Sequence, residues 1–184
     1  GEPPSDAQER INTQQVDTGF FETLGVETIA GRTLSADRRS DLGRAKPEDD
    51  THFTTYYREQ ALVVNRATLD KFGWTPEEAL GKRIRLYVLE NETIYQDYAG
   101  EVVGVVENYH TTSLREEIPP VVYTPALLPV PEGTGTFYNG VNTVLVRAAP
   151  GTANQVMDAL RSVWTEVLPT EPFAASVLGD RLQA

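Results

Sequence analysis

The most regular pattern in the chain lies near its C-terminal end. Val156, Ala159, Leu160, Val163, Trp164 and Val167 recur at i, i+3, i+4, i+7, i+8 and i+11, the spacing that gathers apolar side chains into one stripe of an α-helix. Thr152-Ala153-Asn154-Gln155 just before it reads as a capping box, and Pro169 ends the run. A helix of about four turns is expected. Thr143–Arg147 ahead of it and Phe173–Leu178 behind it have strand character, so the segment reads as a βαβ unit. If its strands are parallel in one sheet, the crossover should be right-handed.

The middle of the chain alternates differently. Ala61–Asn65 is a short buried-strand pattern, and Asn65 can cap a helix that carries Leu69 and Phe72 and stops at Gly73. Thr75-Pro76-Glu77-Glu78 is a second capping box with proline at the first helical position. From Arg83 to Val88, Ile84, Leu86 and Val88 share one face while Arg83, Arg85 and Tyr87 share the other. That is a half-exposed strand. With Tyr95–Val106 beyond the polar turn Glu90–Thr93, it makes a long hairpin. Ser113-Leu114-Arg115-Glu116 is another short capping-box turn, and Val121–Tyr123 a further strand. Nearer the start, Asp17, Phe20, Leu24 and Gly25 outline a short helix, and Val26–Ala30 runs into a Gly31–Arg32 turn.

The remaining stretches are polar or rich in breakers. Residues 1–15 read as a loose lead-in. Residues 35–59 carry Asp37, Asp41, Glu48, Asp49 and Asp50 without periodicity and read as a mobile acidic loop. Residues 126–139 are a connecting loop, in a stretch punctuated from Pro125 to Gly140 by prolines and glycines. There is no internal repeat and no low-complexity tract.

Composition narrows the range of functions. Of 184 residues, 40% are hydrophobic, enough for a packed core. Sixteen basic against 27 acidic residues give a net charge of −11, which repels phosphate backbones and anionic lipid, so nucleic acid is not an expected partner. With no cysteine there is no disulfide, thiolate metal site or cysteine nucleophile. The longest apolar run, around Val102–Val106, falls far short of the ~20 residues that span a bilayer.

The search for catalytic chemistry is empty. His52 and His110 lie far apart, in no metalloprotease frame, and no nucleophile elbow or phosphate-binding loop occurs. Gly133, Gly135 and Gly140 miss the dinucleotide spacing, with Tyr138 in the third glycine's place. Asp49, Asp50 and His52 could meet a metal, but a solvated charge cluster explains them better. Trp164 reads as core on the helix stripe and Trp74 as packing at a helix end. Arg83 and Arg85 could grip an anion, yet the wet face of a strand accounts for them as well. Asn91-Glu92-Thr93 matches a glycosylation sequon that would be coincidental in a bacterial protein. No catalytic, cofactor-binding or metal residue is assigned, and no cofactor is expected.

Five stretches in order carry a resemblance. They are VDTGFFETLGVETIAGRTLS (Val16–Ser35); ALVVNRATLDKFGW with EEALGKRI (Ala61–Ile84); GEVVGVVENYHTTSLREEIPPVVY (Gly100–Tyr123); VLVRAAPGTANQVMDALRSVWTEVLPTEPF (Val144–Phe173); and LGDRL (Leu178–Leu182). Together they resemble the MacB-like periplasmic core domain of ABC-transporter permeases in the FtsX-like superfamily. No one of them is specific alone. The resemblance departs from the usual pattern in two ways. A further strand–helix segment usually precedes the Val16 stretch, so part of the first lobe is expected to be missing here, and residues 35–59 look expanded.

The resemblance implies an α+β fold with two lobes: a β-rich lobe at 60–125, and a porter-like βαβ lobe from 16–34 with 140–184. It implies a place on the extracytoplasmic (periplasmic) face of the bacterial cytoplasmic membrane, anchored by transmembrane helices outside this sequence. The implied partners are those helices, a cytoplasmic ABC ATPase acting indirectly, and a second copy or a periplasmic protein. The implied role is non-catalytic: passing ATP-driven movement to a substrate or partner in export or in lipoprotein or peptide handling. An alternative is a ligand- or peptide-sensing ectodomain of the same permease class. An unrelated hydrolase or metal enzyme is the third reading, and retained stoichiometric metal would favour it.

Overall fold

The computed structural model describes residues 11–42, 57–90, 93–110, 117–126 and 143–183. It is an α+β protein whose contacts divide it into two units. Unit 1 comprises Gly1–Asn108 with Pro119–Val144, and unit 2 comprises Tyr109–Ile118 with Leu145–Ala184. This division runs along a different line from the one read in the sequence. Residues 16–34, grouped there with 140–184, contribute instead to the sheet of unit 1.

That sheet has six strands: β1 (Asn12–Val16), β2 (Thr28–Gly31), β3 (Tyr57–Asn65), β4 (Arg83–Glu90), β5 (Thr93–Val106) and β6 (Val121–Pro125). The order is β1-β6-β3-β5-β2, with β4 also on β5. β1 runs parallel to β6 and β3 parallel to β5. β3 lies antiparallel to β6, and β2 and β4 antiparallel to β5. The expected β4–β5 hairpin is present. β1 corrects the reading of residues 1–15 as lead-in only, because Asn12–Gln15 are polar edge residues whose strand state comes from pairing with β6.

β3 and β5 lie in the middle, and residues 60–65 and 102–106 of them are covered on both faces. Val63 pairs with Tyr123 and Val64 with Val122, so neighbouring residues point to opposite sides. On one side Leu62, Val64, Val102, Val105 and Val122 pack against Leu69 and Ala79. Those two come from helices α2 (Arg66–Phe72) and α3 (Pro76–Ala79). On the other side the Phe21 ring meets Tyr123 edge-on, centroids 5.1 Å apart, and Phe21 belongs to α1 (Phe20–Leu24). Burying each of these aliphatic side chains contributes ~1.5–3 kcal/mol.

The short helices start and stop where local chemistry directs. Gly25 ends α1 in the left-handed region at φ 72°, with the Val26 N–H on the Phe21 carbonyl and the Gly25 N–H on the Glu22 carbonyl. Asp17 was expected to cap α1, but its carboxylate accepts from the Thr18 N–H and Gly19 holds the cap position. The α3 capping box is closed in both directions, Glu78 N to Thr75 Oγ1 at 3.3 Å and Thr75 N to Glu78 Oε2 at 3.0 Å. Gly104 is required because the chain leaving β2 runs close against β5 there, and a Cβ would collide with the Arg32 carbonyl oxygen.

Of residues 35–59, expected as a mobile loop, 43–56 lie outside the described residues, and the described ones are not all loop. A 3-10 turn, Arg39–Asp41, lies near β3, and residues 57–59 already belong to β3. Asp41 is 1% exposed. Glu48, Asp49, Asp50 and His52 lie outside the described residues, as do the Ser113–Glu116 turn, Asn91 and Glu92 of the sequon, and Gly133, Gly135, Tyr138 and Gly140.

Unit 2 holds α4 (Ala153–Val167) and α5 (Leu178–Gln183). α4 is the expected amphipathic helix, but no residue of it is buried. Thr143–Arg147 and Phe173–Val177, expected as strands, carry no strand, and Leu178 already opens α5. A strand is defined by its ladder, and the six strands of the described sheet do not include either segment.

Candidate functional site

Among the described residues, those singled out for chemistry are not brought together. Among the described residues, no group of three or more His, Asp or Glu side chains could hold a metal ion. His110 is half-buried, close to where the chain passes between the units. Arg83 and Arg85 stand on the exposed face of β4, and Arg83 is opposite Glu101 in the ladder. Trp74 packs at the end of α2 as expected. It stacks on Phe72 at 4.7 Å between centroids, with Lys82 Nζ 5.1 Å from its ring centre.

Trp164 corrects the reading of a core tryptophan. It is half-exposed, and its Nε1–H donates to the Glu171 carbonyl at 2.9 Å while Phe173 meets it edge-on at 6.1 Å. Arg161 lies 5.5 Å from the Phe173 ring centre. The chain after α4 therefore folds back along one flank of the helix. The centre of the stripe stays open, with Val163 58% and Val167 67% exposed. On the polar face, Asp158, Arg161, Ser162, Thr165 and Glu166 line a shallow depression.

Two polar networks in unit 1 do converge. In the first, Asp41 takes hydrogen bonds from both terminal nitrogens of Arg32, from the Ser35 N–H at 2.9 Å and from Ser40 Oγ at 2.7 Å. Burial alone would raise its pKa, but the hydrogen bonds from Arg32, Ser40 and Ser35 outweigh that and hold it below the usual carboxylate range. This clasp ties the chain after β2 to the 3-10 turn.

The second network surrounds the start of α2. Asn65 and Thr68 have no exposed surface. Asn65 Oδ1 accepts from Thr68 N (3.1 Å), Thr68 Oγ1 (2.8 Å) and Val121 N (3.0 Å), and its Nδ2 donates to the Pro119 carbonyl (2.9 Å). The Thr68 hydroxyl also lies 3.0 Å from the Val121 carbonyl. Arg66 forms a two-pronged pair with Glu107, Nε to Oε1 at 2.6 Å and Nη2 to Oε2 at 2.8 Å. The Arg66 hydrogen bond holds the Glu107 pKa down and raises that of Arg66. The Ala67 N–H donates to Asn108 Oδ1 at 3.0 Å. Sequence reasoning recognised Asn65 as a cap only. The signal it passed over was an asparagine placed directly after the apolar run Ala61–Val64, where an amide must find several partners.

These arrangements position backbone rather than reacting groups. Among the described residues, no helix is long and apolar enough to cross a membrane. A family model described as MacB-like periplasmic core domain matches residues 3–163. No curated protein and no solved structure matches the chain.

Proposed function

The chain belongs to the MacB-like periplasmic core domain family, the extracytoplasmic domain of ABC-transporter permeases, and from that premise we propose that it is a non-catalytic relay. In this reading, ATP-driven movement of the membrane helices reaches the domain and passes to a substrate or partner outside the membrane. The observation that carries the proposal is the family match across residues 3–163 of a chain that invests its buried polar groups in holding backbone. The middle of the sheet, where β3, β5 and β6 carry Val63, Val64, Val105, Val106 and Val122 without exposed surface, behaves as a stiff plate, because close-packed interiors resist compression. A relay needs such stiffness and a surface to push with, and no acid, base or nucleophile. The open stripe of α4 is a candidate for that surface.

The test uses the whole permease. The domain has no cysteine, so Asp37→Cys in unit 1 and Ser162→Cys in unit 2, both exposed, can carry spin labels. A relay predicts that the distance between the labels changes with ATP state in the absence of any added ligand. An unchanged distance through the ATPase cycle sinks the proposal. A change that follows added peptide or lipid, and not ATP, supports the sensing reading instead.

A further inference from the structure

The chain leaves unit 1 after Asn108 and returns to it at Pro119, and the ten residues between, Tyr109–Ile118, group with unit 2. Both ends of this excursion are fastened to the same four consecutive residues. On the departing side Glu107 is held by Arg66, and Asn108 by the Ala67 N–H. On the returning side Asn65 holds Pro119 and Val121, and the Thr68 hydroxyl reaches the Val121 carbonyl.

We propose that Asn65–Thr68 is a mechanical clamp, which grips both ends of the 109–118 excursion and passes force arriving there into β3 and the sheet. The proposal rests on the relay reading for its purpose but not for its test. Three physical points support it. The first concerns the choice of residue at position 65. A helix cap alone is served equally well by Ser, Thr or Asp. Only an amide can accept from Thr68 and Val121 while donating to the Pro119 carbonyl. An aspartate would turn an oxygen toward that carbonyl.

The second point is burial. Asn65 has no exposed surface, so an unpaired amide there would be costly, and its partners are held tightly enough to satisfy it. The third is mechanical. Asn65 ends β3, the strand that lies between β5 and β6, and the excursion leaves from the end of β5 and returns at the start of β6. Pulling on an unfastened excursion would peel those two strands apart from their ends, one hydrogen bond at a time. With the ends clamped, several bonds share the load and must break together.

The experiment is single-molecule pulling on the protein with handles on Asp37→Cys and Glu117→Cys, both exposed sites in a cysteine-free chain. Asn65→Ser keeps a capping oxygen but cannot reach Pro119 or Val121. It should lower the rupture force about twofold, since it removes the shared bonds. Val102→Ala, a core change on β5 outside the clamp, is the comparison, with urea adjusted so that both variants have equal equilibrium stability. The clamp predicts a clearly lower rupture force for Asn65→Ser than for Val102→Ala under that condition. Equal forces overturn it, because they reduce Asn65 to ordinary stability.

Two further measurements decide the matter if Asn65→Ser does not fold. Glu107→Ala with Asn108→Ala removes both fastenings of the departing end and should also rupture early, whereas a parent-like force counts against the clamp. In the unaltered protein the Thr68 and Val121 amides should exchange with solvent as slowly as those of β3, and fast exchange overturns the proposal. Failure of the clamp leaves ATP-dependent movement between spin labels untouched, so the two proposals fall separately.

Discussion

Unit 1 and unit 2 carry hydrophobic patterns of similar regularity and use them differently. In unit 1, Val63, Val64, Val102, Val105, Val106 and Val122 have no exposed surface. In unit 2, α4 has the longest periodic stripe in the sequence and buries none of its residues. Val144, Leu145 and Val146, at the junction of the two units, are exposed as well. Periodicity therefore identifies the face that seeks a partner, and it is silent on whether the partner belongs to the same unit. Matched substitutions in the two units test this contrast, because the same chemical change should have very different consequences.

The largest difference is expected between the ion pairs. Asp41 is buried with Arg32, Ser35 and Ser40 around it, whereas Asp158 and Arg161 meet at 3.3 Å on the open surface of α4. Asp41→Ala leaves the Arg32 guanidinium without its carboxylate, with only the Thr33 carbonyl still accepting from it, and the Ser35 N–H without its acceptor, and should destabilise by ~3–5 kcal/mol. Asp158→Ala should change stability by less than ~1 kcal/mol. Urea unfolding followed by circular dichroism measures both. A small effect of Asp41→Ala would mean that the 3-10 turn is not fastened to the sheet in solution.

Leucines give the next contrast. Leu62 is 1% exposed between β5 and β6, while Leu160 is half-exposed on the stripe. Leu62→Ala should cost ~2–5 kcal/mol, as core truncations do. Leu160→Ala should stay below ~2 kcal/mol, since the side chain is only partly buried and α4 has no fully buried residue around which a cavity would open. Equal costs would break the comparison, because they would mean that something covers the α4 stripe in solution.

Acid should sharpen the same contrast. The Asp41 pKa is held below its ordinary value, so the folded state binds its proton less readily than the unfolded chain does. The stabilisation is complete above the unfolded carboxylate value, ~3.9, and is lost as pH falls through the lower folded value. Thermal unfolding between pH 5 and about pH 2 should show a fall in Tm that is shallower in Asp41→Asn. An identical slope in the two proteins would place the acid sensitivity elsewhere.

The helices α2 and α3 were legible in the sequence because everything that makes them is local. Asn65 with Gly73 delimits one, and the reciprocal box Thr75–Glu78 starts the other. The β4–β5 hairpin was legible for the same reason, since its alternating strands are neighbours in sequence. β1 was not legible. Its partner β6 lies more than a hundred residues away, and Thr13-Gln14-Gln15 has no apolar alternation to announce it. Asp41 stood among other acidic residues, and nothing local marks the one that turns inward to Arg32. The clamp around Asn65 was half legible. Its cap role is a local pattern, while its hold on Asn108, Pro119 and Val121 joins three distant segments.

The smallest predicted difference bears most directly on what a capping motif means. Thr75-Pro76-Glu77-Glu78 and Thr152-Ala153-Asn154-Gln155 are the same signal, a hydroxyl followed three residues later by Glu or Gln. The first closes in both directions and draws the Glu78 pKa down through the Thr75 N–H. The second does not close: Thr152 makes no capping bond, and its Oγ1 donates back to the Ala149 carbonyl at 2.8 Å. At φ −106° and ψ 7°, Thr152 lies outside the extended geometry that Thr75 adopts at φ −77° and ψ 160°, so its hydroxyl is not aimed at the first free N–H groups of α4. Thr75→Ala should therefore cost about 1 kcal/mol, as lost caps do, and Thr152→Ala only a few tenths. If Thr152→Ala costs as much as Thr75→Ala, the α4 box closes in solution, and the start of that helix is as firmly set as the helices packed against the sheet.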